Sequence, residues 1–327
     1  MTDTSRRAFV AGAAVTTAVA ASAASAQDAK KPGAPTAPRA AEYPKPPFPV
    51  QQQPWPGLAS KMTPKPDHGE TSYRGSGKLE GKRALITGGD SGIGRAAAIA
   101  YAREGAAVVI NHLAAEEPDA REVIELLRGE GRRIVSMPGD LRDEAFCNRL
   151  VTEAAREPGG LDILVNNAAR QQTKPSIDAI SSTDFDDTMK TNVYAPFWLT
   201  RAAVALMGAG GVIVNTSSEQ AADPSEDLVD YALTRAAVLN FTKSMAKQLA
   251  PKGIRVNVVA PGPFWTPLQV SGGATPEKLQ KFGSTSFLGR PGQPAEIAAL
   301  YVAAADPALS FSTGQIFGAT GGGGQPA

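Results

Sequence analysis

A glycine-rich turn at residues 87–94 constrains this chain more than any other feature, because it joins an apolar run to an alanine-rich segment. The run before it, residues 83–87, has the length of a buried strand, and the segment after it has the composition of a helix. In such a turn Gly88 permits the bend, Gly92 lets the backbone approach a phosphate group, and Gly94 lets the helix pack closely. The turn therefore predicts phosphate binding at a helix N-terminus, although packing alone also favours glycines there.

Similar apolar runs recur along the chain and alternate with helical segments. Because these runs are apolar on both faces, they indicate a parallel sheet that helices cover on both sides. We predict an α/β fold, a doubly wound parallel sheet of the Rossmann type, as a single domain over residues 78–327. The predicted strands are residues 83–87, 107–111, 134–137, 163–166, 212–215 and 254–259.

The composition excludes several classes of function. There are 33 basic and 32 acidic residues, and a net charge of +1 gives no broad basic field, so we expect no nucleic-acid partner. The single cysteine, Cys147, excludes an internal disulfide. With only two histidines, His68 and His112, no cluster has the spacing of metal ligands, and we expect no metal.

The first 26 residues resemble an export signal. Arg6-Arg7 precedes a weakly apolar run at residues 8–20, and Ala24-Ser25-Ala26 follows it. This layout is typical of a twin-arginine signal peptide, residues 1–26, with its cleavage site. The alternative is a membrane anchor, but the run is too weakly hydrophobic to hold a span well. We expect a periplasmic protein that the twin-arginine machinery exports folded, with no membrane attachment after cleavage.

A proline-rich arm, residues 27–77, follows the signal. Its residues 27–66 include eleven prolines, which exclude a helix or a central strand. The simplest interpretation is a disordered or polyproline II spacer. The alternative is an extended arm pinned to the domain or to a neighbouring subunit, because five large side chains punctuate it: Phe48, Trp55, Leu58, Met62 and Tyr73.

Several motifs resemble the short-chain dehydrogenase/reductase family in their order and spacing, over residues 78–322. Beyond the glycine turn they are Asp140-Leu141, Asn166-Asn167-Ala168-Ala169, Thr191-Asn192-Val193, Ser218 thirteen residues before Tyr231, and Pro261-Gly262-Pro263-Phe264-Trp265-Thr266. The arm and the Gly88-Gly89-Asp90 sequence are similar to a bacterial subgroup that carries such an extension.

The resemblance implies NAD(P) as cofactor. The implied cofactor-binding residues are Gly88, Asp90, Ser91, Gly92, Ile93, Gly94, Asn111, Asp140, Leu141, Asn166, Tyr231, Arg235, Pro261, Gly262, Phe264 and Thr266. An acidic residue after the second strand would bind the ribose 2′-hydroxyl and reject a 2′-phosphate. The chain has Asn111-His112-Leu113 there, with no arginine beside it, so the sequence favours NADP slightly.

The resemblance also implies hydride transfer between NAD(P) and a small carbonyl or alcohol substrate. Tyr231 would be the acid or base, Ser218 would hydrogen-bond the substrate oxygen, and Asn192 would hold a water in a proton relay. The family has a lysine four residues after the tyrosine, where this chain has Arg235. Positions four apart share a helix face, so the positive charge stays beside the phenol. Arginine stays protonated, however, and cannot pass a proton along.

Arg235 leaves two hypotheses open. One is an active oxidoreductase; the other is a non-catalytic dinucleotide-binding or redox-sensing protein whose active site this arginine impairs. Three of four catalytic residues match the family and the fourth keeps its charge, which favours the enzyme. Glu219 is a second departure, since the subgroup usually has an uncharged residue there. It either pairs with Arg235 or points to solvent, and we expect solvent.

Two further expectations concern the surroundings of the site. Residues 263–281 should cover the substrate, and Phe264, Trp265 and Leu268 predict an apolar lid. The family usually forms tetramers through two long helices, here about residues 195–207 and 231–250, so the resemblance implies a homotetramer. Free nicotinamide cofactor should be scarce outside the cytoplasm, so an exported enzyme is expected to retain its cofactor.

Overall fold

Short aliphatic runs form one seven-stranded sheet in the computed structural model, which describes residues 43–323. All neighbouring strands pair in parallel, in the order β3-β2-β1-β4-β5-β6-β7. The predicted doubly wound α/β fold is confirmed. The strands are β1 (Arg83–Thr87), β2 (Ala107–His112), β3 (Ile134–Pro138), β4 (Ile163–Asn166), β5 (Val212–Thr216), β6 (Arg255–Pro261) and β7 (Ile316–Ala319).

Helices cover both faces of the sheet. Successive strand residues point to opposite faces, so Ile86 of β1 enters one core and Leu85 the other. Residues of α1, α2 and α8 complete the first core, and residues of α3, α5 and α6 complete the second. The helices are α1 (Gly92–Arg103), α2 (Glu117–Gly129), α3 (Glu144–Arg156), α4 (Ser182–Met189), α5 (Ala195–Val204), α6 (Val229–Leu249), α7 (Pro276–Gln280) and α8 (Pro294–Ala305).

The strand order reverses between β1 and β4, and this reversal positions the site. Ligands of doubly wound sheets bind in the crevice that opens at the carboxyl ends of two such strands. Thr87, at the end of β1, ties the two strands together there: its hydroxyl oxygen accepts hydrogen bonds from the backbone N–H groups of Asn167 (3.0 Å) and Ala168 (3.1 Å).

The described part of the arm packs against the domain as part of the same compact unit. Phe48 is buried and stacks on Trp265, with 4.3 Å between ring centroids. The buried guanidinium of Arg103, on α1, donates hydrogen bonds to the carbonyl oxygens of Gly69 (2.7 Å) and Glu70 (2.6 Å). The two hydrogen bonds from Arg103 satisfy carbonyl oxygens of an arm segment that lies outside the helices and the sheet.

The expected signal peptide, residues 1–26, and the start of the arm lie outside the described residues. Within residues 43–323, no helix is long and apolar enough to cross a membrane. The same residues contain no group of histidine, cysteine, aspartate and glutamate side chains that could hold a metal ion.

Candidate active site

A cleft opens at the carboxyl ends of β1 and β4, and a second cavity adjoins it. The cleft has about 1010 Å³ of space that protein atoms do not fill, part of it open to solvent. The adjoining space, which we call the side cavity, is bounded by the segments after β5 and β6. Ile93, Tyr231, Pro261 and Thr266 line both spaces, so a group in the side cavity borders on one in the cleft.

The glycine turn after β1 fits a phosphate group. Gly88 and Gly92 have positive φ angles of 63° and 50°, which side chains rarely adopt. A Cβ atom on Gly94 would lie 1.9 Å from the carbonyl oxygen of Gly88, so only glycine lets α1 pack this closely. No side chain caps the start of α1, which leaves its first N–H groups available to a ligand at the cleft.

The end of the cleft beside β2 and β3, which we call the far end, is lined by Asn111, His112, Glu116, Asp140 and Leu141. The Asn111 amide donates hydrogen bonds to the carbonyl oxygens of Met137 (3.0 Å) and Gly139 (3.2 Å), which joins the ends of β2 and β3. The Asp140 carboxylate pairs with Arg142 at 2.7 Å. In a doubly wound fold this polar end of the cleft is the place for the adenosine part of a dinucleotide.

Two carboxyl groups beside the turn share a buried environment. Asp90 is 1% exposed, and burial raises the pKa of its carboxyl group above its usual range. Burial and the neighbouring charge of Asp90 raise the pKa of Glu116 to about 8. Both shifts favour the neutral carboxyl groups, which limits the negative charge at this end of the cleft.

The end of the cleft beside α6, which we call the near end, holds a tyrosine and a buried cation. Tyr231 and Arg235 lie one turn apart on α6, and the guanidinium carbon is 4.6 Å from the centroid of the phenol ring. One guanidinium nitrogen donates to the Thr216 carbonyl oxygen at 2.9 Å. Arg235 is 2% exposed, and its Nε has no hydrogen-bond partner among the described residues. A buried, incompletely bonded cation on the cleft wall suits a polar ligand group.

Ser218 lines the side cavity together with Tyr231. Ser218 follows β5, and its hydroxyl oxygen accepts a hydrogen bond from the backbone N–H of Gln220 at 3.2 Å. The same hydroxyl is 3.5 Å from the Pro261 carbonyl oxygen, a long contact that leaves it free to bond a substrate oxygen instead.

Asn192 lies in a π-helical turn, Lys190–Tyr194, between α4 and α5. Its side chain is fully buried and lines neither cavity. Its oxygen accepts a hydrogen bond from the Arg170 N–H at 2.8 Å, and its nitrogen donates to the Arg170 carbonyl oxygen at 2.9 Å. The side chain therefore positions the segment after β4, and the predicted water relay stays a prediction.

Most of the predicted cofactor residues line the cleft or the side cavity. Gly94 and Asn166 do not: Gly94 provides packing, and the Asn166 amide donates to the Asn215 side chain at 2.8 Å inside the fold. Three arm residues also line the cleft, Trp55, Pro56 and Gly57, and none of them was predicted to bind the cofactor. The aromatic residues that punctuate the arm were the only signal for them.

The apolar lid prediction is correct only in part. Phe264 and Leu268 line the side cavity, as expected. The prediction is wrong for Trp265, because this residue is fully buried against the arm and lines neither cavity. Its indole N–H donates to the Pro64 carbonyl oxygen at 2.8 Å, so this side chain fixes the arm to the segment after β6.

Glu219 takes neither of the two positions expected for it. It is half-buried, lines the side cavity next to Ser218, and forms no ion pair with Arg235. A Cβ atom on Gly262 would lie 2.9 Å from its Oε2, so the carboxyl group fits beside Gly262 because that residue lacks a side chain. Burial and the charge of Asp223 raise the pKa of Glu219 to about 7.

We expect Glu219 to give carbonyl reduction an inflection near pH 7. Below this pH the carboxyl group is neutral; above it, the carboxylate opposes negative charge that develops on a substrate oxygen near Ser218. Carbonyl reduction should therefore slow about three- to tenfold as Glu219 ionises. In a pH profile of kcat/KM, Glu219→Gln should remove this inflection, whereas Asp223→Asn should move it to lower pH. A Glu219→Gln profile that keeps the wild-type inflection would contradict this role.

Together these features define a class of protein. A doubly wound sheet, a glycine turn that fits a phosphate, and a tyrosine beside a buried cation are the parts of a dinucleotide-dependent oxidoreductase.

Comparisons with known proteins identify the family. A family model described as enoyl-(acyl carrier protein) reductase matches residues 88–323. The uncharacterized oxidoreductase YghA of Escherichia coli is 52% identical over 84% of this chain and 94% of its own length. The NADPH-dependent aldehyde reductase 1 of Arabidopsis thaliana, a chloroplastic protein, is 40% identical over 83% of this chain and 96% of its own.

Solved structures agree with this result. A short-chain dehydrogenase from Burkholderia cenocepacia in complex with NADP has a TM-score of 0.70 at 34% identity, covering 75% of this chain and 98% of its own. The chain belongs to the short-chain dehydrogenase/reductase family, and it is an NAD(P)-dependent oxidoreductase by this membership.

Proposed function

We propose that this protein transfers a hydride between NAD(P) and a small carbonyl or alcohol substrate. Support comes from one placement: Tyr231 and Ser218 line the side cavity, while Tyr231 and Arg235 line the adjoining cleft. The nicotinamide, when bound, supplies the hydride acceptor or donor. Tyr231 protonates the carbonyl oxygen during reduction or takes the proton from an alcohol, and Ser218 donates a hydrogen bond to that oxygen.

The lining of the side cavity favours a small polar substrate. Its lining combines apolar side chains, among them Phe264 and Phe282, with the amides of Gln171 and Gln269. Lys278 also lines the cavity, but its ammonium group is paired with Asp227 at 2.7 Å. A cavity that combines amides and aromatic rings fits an aldehyde or ketone with additional hydrogen-bonding groups. The aldehyde reductase name of the Arabidopsis relative supports a carbonyl substrate.

NADP is the cofactor that we favour within NAD(P). The end of β2 carries Asn111 and His112 in place of a carboxylate that would reject a 2′-phosphate. The Burkholderia relative is in complex with NADP, which supports the same choice. The raised pKa of Glu116 also helps, because a neutral carboxyl group does not repel a phosphate.

NADPH binding should weaken as the pH rises through about 8, because Glu116 then ionises and its carboxylate repels the 2′-phosphate. We expect a loss of up to about tenfold in affinity, and a smaller change for NADH, which has no such phosphate. Titrations of both cofactors with the Glu116→Gln variant should show no such pH dependence. Glu125→Gln, at an exposed position on α2, the helix that follows Glu116, is the matched control. Equal pH dependence for NADPH and NADH would contradict this role.

We infer a homotetramer from an exposed apolar surface on α5 and α6. Tyr194, Phe197 and Leu233 are each more than 40% exposed, and Phe197 meets Phe241 at 6.5 Å between ring centroids. An apolar patch of this kind is typical of a subunit interface. Sedimentation equilibrium of the mature protein should give four times the chain mass, and a monomer would contradict the proposal.

We also propose that the protein is periplasmic and belongs to the bacterial subgroup with a proline-rich arm. The Arg6-Arg7 start and the alanine-rich cleavage site support export by the twin-arginine machinery. Replacing Arg6-Arg7 by two lysines should retain the protein in the cytoplasm in cell fractionation. Unchanged export of that variant would contradict this route.

The first test of the function is consumption of NADPH and NADH with a panel of aldehydes, ketones and diketones. We expect at least one substrate to be reduced, faster with NADPH than with NADH. If both cofactors bind, but neither reduction of a carbonyl nor oxidation of the corresponding alcohol is detected, the protein is the non-catalytic dinucleotide-binding alternative.

A further inference from the structure

A short part of the arm crosses the cleft. Residues 53–61, which we call the strap, contain Trp55, Pro56 and Gly57, and these three residues line the cleft together with the glycine turn. A hydrogen-bonded ring gives the strap its shape: the Gln53 side chain accepts from the Leu58 N–H at 2.8 Å and donates to the Leu58 carbonyl oxygen at 3.0 Å.

One end of the strap is held beside the near end of the cleft. The Gln53 N–H donates to the Val270 carbonyl oxygen at 2.9 Å. Gly57 packs so closely that a Cβ atom there would be 3.0 Å from both the Pro267 carbonyl oxygen and the Ser271 Cβ atom. Pro267 and Ser271 themselves line the cleft, in the segment that follows β6.

The other end of the strap is held on α2, beside the far end of the cleft. The carboxylate of Asp119 is fully buried and accepts hydrogen bonds from the N–H groups of Ala59 (2.5 Å) and Ser60 (3.2 Å). Asp119 lies in the first turn of α2. Glu116, the residue just before this helix, lines the cleft. The strap therefore connects the two sides of the cleft.

Trp55 lies outside the apolar clusters that anchor the arm. The arm enters the core through Phe48 and Met62, which pack with Trp265 in a separate apolar cluster. Trp55 belongs to none of the core clusters and is half-buried at the cleft. A large aromatic ring that is not needed for packing, and that faces a ligand cleft, is suited to contact the ligand.

We propose that the strap is a second wall of the cofactor site, and that Trp55 packs against the bound dinucleotide and slows its release. Trp55 and Pro56 carry no charge, so they exclude water from the cleft without repelling the phosphates. The glycine turn supplies the N–H groups on one side, and the strap supplies apolar surface on the other. This inference rests on dinucleotide binding, which the proposed function also needs, but it does not depend on turnover.

Cofactor release tests the role of Trp55. Stopped-flow displacement of fluorescent NADPH by excess NADP should show that Trp55→Ala dissociates about tenfold faster than wild type, because most effects on affinity lie in the dissociation rate. Trp55→Phe keeps an aromatic ring and should restore most of the slow release. Val50→Ala, at an arm position that is 67% exposed and lines no described cavity, is the matched control. Equal dissociation rates for Trp55→Ala and wild type would overturn the proposal.

Hydrogen exchange on the unmodified protein provides a second test that does not depend on how a variant folds. If the strap must open before the cofactor leaves, saturating NADP should slow amide exchange in residues 53–61 about tenfold or more. The glycine turn, residues 87–94, is the internal reference for binding. Slowed exchange in the turn with no change in the strap would overturn the proposal, and would leave dinucleotide binding and the proposed function intact.

Discussion

Replacing Tyr231 by phenylalanine should lower kcat about 10²- to 10⁴-fold, the usual contribution of a positioned acid or base. The phenol lines both the cleft and the side cavity, so its hydroxyl is the acid or base that both spaces share. The Tyr231 ring stays in the variant, so its contact with the Arg235 guanidinium is kept and NADPH affinity should change little.

The control for this variant is Tyr43→Phe, which removes a hydroxyl from a half-buried arm tyrosine that lines neither the cleft nor the side cavity and donates to Asp67 at 2.7 Å. Both proteins are compared by steady-state kinetics and by NADPH titration. A Tyr231→Phe enzyme with kcat near that of wild type would show that another group performs the proton transfer.

Replacing Arg235 by methionine should lower kcat/KM about a hundredfold, a typical effect of removing one electrostatic group from an active site. The buried guanidinium lies against the Tyr231 ring and supplies positive charge at the near end of the cleft. Arg235→Lys keeps that charge and should stay within about tenfold of wild type, a change of about 1.4 kcal/mol. The lysine loses the planar contact with the phenol but gains a compact ammonium group.

Lys247→Met is the matched control for Arg235→Met, because it removes an exposed positive charge from the last turn of the same helix. Thermal melting of each variant separates loss of chemistry from loss of folding, since Arg235 also donates a hydrogen bond to the Thr216 carbonyl oxygen. Equal activity of Arg235→Met and wild type would show that the positive charge of Arg235 does not contribute to catalysis.

The sheet and the main site residues could be predicted because they depend on local sequence. Aliphatic runs between turns mark the first six strands, and the spacing of Ser218 and Tyr231 fixes their relation to β5 and α6. The last strand, β7, escaped prediction because it has only four residues and is only partly buried. A short run with a glycine in it carries little strand signal.

The remaining features depend on contacts between distant parts of the chain. The strap meets the segment after β6 across more than 200 residues of sequence, as the hydrogen bond from the Gln53 N–H to the Val270 carbonyl oxygen illustrates. Glu219 turns inward because Gly262, 43 positions away, has no side chain to exclude it. Residue types and local periodicity contain no information on such pairings.

We expect the enzyme to be active with Arg235 in place of the family's lysine. Single-turnover reduction of a carbonyl that the panel identifies, with NADPH deuterated at both hydrogen positions of nicotinamide C4, tests this directly in wild type and in Arg235→Lys. We predict that mass spectrometry finds one deuterium in the alcohol product of both proteins. Deuterium transfer by Arg235→Lys alone, with none by wild type, would contradict the claim and identify the natural protein as a dinucleotide-binding protein with an impaired active site.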